Sequence, residues 1–137
     1  MPVAGIITLD SVSVLSIPSV GASATVEHTV EVADTALALG SGDVPVLGTP
    51  RVLALLEQAT VDAVAHSLPA ESTTVGARVE IEHLLPSAVG DRVVASATLA
   101  DVQGRRLTFE VRLTERGRLL ASGSIVRVVA ERRRFGA

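Results

Sequence analysis

The sequence predicts an α+β domain in which a curved antiparallel sheet wraps around one long helix. Two observations lead there. A single run of 18 residues, RVLALLEQATVDAVAHSL, contains neither Gly nor Pro and is rich in Ala and Leu, the signature of one long helix. Around it lie five stretches in which apolar and polar residues alternate, one before the run and four after it. One helix covers only one face of a sheet, so this order requires the sheet to curl around the helix on that side. The 137 residues fit one such domain, and 47% hydrophobic with 20% charged residues suits a compact globule.

The first twenty residues, MPVAGIITLDSVSVLSIPSV, are apolar but are broken by Asp10 and Pro18 and begin without a positive charge. A secretory signal needs a basic start, and a membrane span needs about 20 apolar residues. The expectation is a cytoplasmic protein without a membrane segment, with residues 1–22 as an N-terminal arm or extra strand ahead of a domain over 23–130.

The first domain strand is expected over Ala24–Val32, where Val26 and Val30 share a face with His28 between them. Ala33–Gly48 carries Gly40, Gly42, Pro45 and Gly48 and reads as a long loop, a length usually kept for function in a small domain. Thr49-Pro50 then opens the helix, with Thr as N-cap and Pro at the first helical position. Eighteen residues span about 27 Å, and Pro69 ends them. Arg51, Gln58 and Asp62 fall on one side and are assigned to solvent or a partner; the remaining surface is apolar and buried.

Thr73–Leu85 alternates, with Val75, Ala77, Val79, Ile81 and His83 on one face and Arg78, Glu80 and Glu82 on the other. The turn Pro86–Asp91 leads to a strand over Arg92–Val102, and Gln103-Gly104 leads to one over Arg105–Thr114. There Leu107, Phe109, Val111 and Leu113 keep a strict period of two. Glu115–Gly117 introduces the last strand, Arg118–Ala130, and 131–137 is expected to be a frayed, solvated tail.

Composition removes several chemistries. The absence of Cys excludes disulfides, thiolate nucleophiles and cysteine-ligated metals. Every basic residue is Arg, Asn is absent, and the net charge is −3 with no basic stripe interleaved with aromatics, so nucleic acid is not an expected partner. His28, His66 and His83 lack the spacing of a metal site. The Gly40–Gly42 segment lacks the G-K-[ST] of a phosphate-cradling loop.

Three residues remain as candidates for chemistry. Glu57 is placed by helical spacing on the buried side, with Leu53 and Val61 one turn away, where a carboxylate must be paired or face a water-filled cleft. An ion pair with an Arg would also account for it. His83 continues an apolar strand face just before a turn; it is either a hydrogen-bonded core residue or a general base. Thr49 is explained by capping alone. Yet a helix start also presents N–H groups and a positive dipole end, so the Gly48 N–H and first-turn amides are candidates for an oxyanion hole.

The segments GTPRVLALLEQATVDAV, VGARVEIEHLLPSAVGDRV, GRRLTFEVRL and SGSIVR resemble the hot-dog thioesterases, in particular the fluoroacetyl-CoA thioesterase branch. In that branch a Thr opens the helix, a Glu follows eight residues on and a His a further 26 residues on. Thr49, Glu57 and His83 match without a gap. The resemblance covers roughly residues 24–130 and implies the hot-dog fold and hydrolysis of a small or medium acyl-CoA thioester. It further implies Thr49, Glu57 and His83 as catalytic residues, with Glu57 either orienting His83 or accepting the acyl group.

Gly76 and Arg127 match a glycine near the acyl group and an arginine on the last strand. Arg127 is assigned either to CoA or to an ion pair with a glutamate. No cofactor is implied beyond the CoA of the substrate, and a homodimer is implied, because hot-dog domains pair their sheets. Asp34–Gly48 departs from the branch, which carries a longer, Phe-bearing lid there, so the resemblance does not extend to selectivity for a fluorinated acyl group. Two other readings are a non-catalytic acyl-CoA-binding module and an enoyl-CoA hydratase. The hydratase is disfavoured because those of this fold use an Asn that this chain lacks.

Overall fold

The computed structural model describes residues 18–137; the arm or strand expected before residue 18 lies outside them. Strand β1 (Ser23–Thr29) is followed by a one-turn helix α1 (Ala36–Leu39) and the central helix α2 (Thr49–Val64), which continues as a 3₁₀ turn over Ala65–Ser67. Strands β2 (Ser72–His83), β3 (Arg92–Gln103), β4 (Arg106–Glu115) and β5 (Arg118–Glu131) complete the domain. All pairings are antiparallel and the spatial order is β1-β3-β4-β5-β2, so β1 and β2 are the sheet edges.

The strict alternation of β3 and β4 explains the core. Val93, Ala95, Ala97 and Leu99 of β3, and Leu107, Phe109, Val111 and Leu113 of β4, are fully buried on one face. Ile125, Leu120 and Ala121 of β5 extend that face, and α2 lays Val52, Leu55, Leu56 and Ala59 onto it. Burying each large aliphatic side chain contributes about 1.5–3 kcal/mol, so the helix is held by its packing, and the near absence of aromatics costs the core little. This is the α+β sheet-around-helix architecture expected from the sequence.

Three local expectations are corrected. The helix keeps Leu53, Glu57 and Val61 on a half-open flank, not on its buried side; Val61 is 39% exposed while Val52, Leu56 and Ala59 are buried completely. The 3.6-residue period separates the two stripes by a small rotation that an almost uniformly apolar helix does not reveal. In β2 a bulge at Ala77 shifts the register, with Gly76 opposite Arg127 but Arg78 opposite Val126. The inward face therefore carries Thr74 and Gly76 before the bulge and Val79, Ile81 and His83 after it, and Val75 and Ala77 do not belong to that row. Beyond β5, Arg132–Phe135 forms a 3₁₀ turn instead of a frayed tail. The Arg132 N–H and Nε donate to the carbonyls of Glu71 and Ala70.

Candidate active site

The helix start and the end of β2 meet. Thr49 Oγ1 lies 2.8 Å from His83 Nδ1. Gly48, not Thr49, is the N-cap, and Thr49 and Pro50 form the first helical positions. With Thr49 one residue inside the helix, its hydroxyl is turned to the histidine and caps no first-turn amide. The Gly48 N–H donates to the Asp34 carbonyl at 2.9 Å, which removes it as an oxyanion donor. Pro50 has no N–H, and those of Arg51 and Val52 turn back to the Gly48 carbonyl. Among the described residues, the Thr49 N–H is the first-turn amide left without a partner.

Burial pulls the His83 imidazole below the ordinary histidine range, and the nearby Leu85 backbone opposes the shift only in part. It is therefore neutral at physiological pH and able to exchange a proton with the Thr49 hydroxyl. Its Nε2 is buried and has no hydrogen-bond partner among the described residues.

Two turns along the helix, Glu57 makes the ion pair with an arginine that was one of the two readings of it. Its Oε2 accepts from Arg127 Nη1 at 3.0 Å, and among the described residues no hydrogen bond joins it to His83. Arg127 is 8% exposed, against 34% for Glu57. Its Nε donates to Thr74 Oγ1 at 2.8 Å and its Nη2 to the Thr74 carbonyl at 2.9 Å. A guanidinium so enclosed is not placed to receive CoA phosphates, and of the two roles assigned to it the ion pair is the one the geometry contains.

Gly76 borders the same carboxylate, since a Cβ there would lie 2.7 Å from Glu57 Oε2. The bulge at Ala77 turns this glycine inward, which simple alternation had set on the opposite face.

The two pairs mark two points at which α2 approaches β2, and the strip between them is termed the trough. Thr49 and His83 stand at one end, and Glu57, Arg127 and Gly76 at the other. Eight residues of helix separate Thr49 and Glu57 by about 12 Å of rise. Leu53 on the helix and Val79 and Ile81 on the strand lie between them; Leu53 and Ile81 are half-buried and Val79 is exposed.

A profile of the family described as FlK, fluoroacetyl-CoA-specific thioesterase, matches residues 30–133. The chain belongs to the fluoroacetyl-CoA-specific thioesterase family.

Solved structures agree. The thioesterase FlK itself superposes with a TM-score of 0.80 at 26% identity over 86% of this chain and 92% of that one. A hot-dog-like protein from Thermanaerovibrio acidaminovorans gives 0.77 at 26%, covering 85% and 87%. A thioesterase superfamily member from Thermus thermophilus shares the fold, with a TM-score of 0.80 at 24% identity over 88% and 89%. No curated protein matches the sequence. FlK variants have been crystallised with fluoroacetate and CoA and with acetyl-CoA.

Two contributors to the site escaped the sequence reading. Thr74 fixes the Arg127 guanidinium, and Asp34 holds Gly48 through its backbone. Neither interrupts a pattern: Thr74 is an ordinary strand residue, and Asp34 lies in a loop where aspartate is commonplace.

Proposed function

We propose that this member of the family hydrolyses a small or medium acyl-CoA thioester in the trough between α2 and β2. The observation that carries the proposal is the 2.8 Å contact between Thr49 and His83 at a helix start with an unpartnered amide. When His83 Nδ1–H donates to Thr49 Oγ1, the threonine's own proton is free to meet the thioester carbonyl oxygen. The Thr49 N–H and the helix dipole add to the stabilisation of negative charge there. Glu57 keeps its Oε1 unpaired among the described residues. In this reading Glu57 either takes a proton from the water that attacks the acyl carbon, or attacks that carbon itself. In both cases the C–S bond breaks and CoA leaves as its thiol; in the second, water then hydrolyses the anhydride and frees the carboxylate. The apolar middle, Leu53, Val79 and Ile81, receives the acyl group.

The chain acts as a homodimer in this reading. Edge strand β2 offers free backbone groups, the flank of α2 exposes Val61 and β2 exposes Val79, which is 40% exposed. A second copy on this edge would cover the trough.

Thiol release from a panel of acyl-CoAs, acetyl and fluoroacetyl included, tests the activity. Glu57→Gln and His83→Ala are expected to lower kcat by about 100-fold or more. Acetyl and fluoroacetyl substrates are expected to differ little, because Asp34–Gly48 carries no aromatic side chain to discriminate them. A folded wild type that binds acyl-CoA yet releases no thiol from any of them would overturn the proposal.

A further inference from the structure

On the side of the helix start away from His83, Asp34 is buried in a cluster that the catalytic reading does not use. Its side chain is 6% exposed. Oδ2 accepts from the Glu31 N–H at 2.8 Å and lies 2.7 Å from His28 Nε2, and Oδ1 is ion-paired with Arg51 Nε at 3.0 Å. Burial alone would raise its proton affinity. The hydrogen bonds from His28 and Glu31 and the charges of His28 and Arg51 more than offset this and hold the carboxyl below its ordinary range. The buried group is therefore an anion compensated from three directions.

What makes the cluster informative is where its partners stand in the chain. The Asp34 carbonyl takes the Gly48 N–H, the residue before Thr49, and the Asp34 carboxylate takes Arg51, two residues after it. One loop residue thus holds the Gly48 backbone before Thr49 by a hydrogen bond and the Arg51 side chain after it by an ion pair. Its own conformation is fixed by a reciprocal capping interaction with Glu31 and by β1 through His28.

We infer that Asp34 is a positioning residue, which sets the Thr49 hydroxyl and N–H at the distance the acyl carbonyl and His83 require. The inference rests on the thioesterase reading of Thr49. A displacement of about 1 Å at a reacting group costs up to about 100-fold in rate, so the grip matters for turnover more than for substrate affinity.

Asp34→Asn keeps the size and the acceptor for Glu31 while removing the charge that holds Arg51; Arg51→Gln removes the same arm from the other side. Both are expected to lower kcat by about 10- to 100-fold and leave KM within about twofold. In a Thr49→Ala background Asp34→Asn should lower kcat no further, because residues acting through one another are not additive. The ring ¹⁵N shifts of His83, measured by NMR, should move in both variants although neither residue touches His83.

Equal losses in the presence and absence of Thr49, or unchanged His83 shifts in a folded Asp34→Asn protein, would overturn the inference. A wild type without thioesterase activity whose His83 shifts still respond to Asp34→Asn would remove the reaction but keep the positioning.

Discussion

At the scale of single residues, burial and proton affinity bind the candidate site to pH. The folded chain holds His83 below its ordinary value of 6.5. As pH falls through 6.5 the unfolded chain takes up this proton first, so stability drops until pH passes the folded value and is level below it. Asp34 works in a lower window: its contribution is present above 3.8 and fades as pH falls through its lowered folded value. The melting temperature is therefore expected to decline between pH 7 and pH 5 less steeply in His83→Gln than in the wild type. Thermal melts across that range check this, and parallel slopes in the two proteins would contradict it.

At the scale of elements, the decisive contact is between β2 and β5. A Cβ at Gly123 would meet the Glu80 carbonyl at 1.9 Å and the Ile81 Cα at 2.8 Å, backbone atoms that have no rotamer to escape into. Gly123→Ala is expected to cost about 1–3 kcal/mol and to loosen the edge strand that carries Gly76 and His83. Denaturant melts would register the loss, and hydrogen exchange should show it concentrated in β2.

Much of this level was legible in the sequence. The alternation in Arg92–Val102 and Leu107–Leu113 located β3 and β4 to within a residue or two, and Thr49, Glu57 and His83 stood out as polar groups on apolar elements. What stayed hidden depends on geometry that periodicity does not encode. The bulge at Ala77 reverses which residues face inward in the stretch of β2 that precedes it, and the small side chains there give no hint of it. The rotation of α2 that leaves Glu57 on an open flank is masked because its neighbours all round are apolar. The Arg127 partnership spans 70 residues, and nothing local marks it.

At the scale of the whole molecule, one sheet with two edges leaves the trough open along β2. Size-exclusion chromatography with light scattering is expected to give a mass near twice the 14.1 kDa of the chain; a monomer at micromolar concentration would contradict the dimer. Among the described residues no helix is long and apolar enough to cross a membrane. The bulge at Ala77 bears on how far such assembly can run. A row of free donors and acceptors invites further strands without end, but here the row changes phase part-way. An incoming straight strand can match the stretch Arg78–His83 or the stretch Ser72–Gly76, and never both in one register. The extra alanine thus acts as a length limit written into the edge, so that a short partner segment pairs cleanly while fibre-like stacking loses its template.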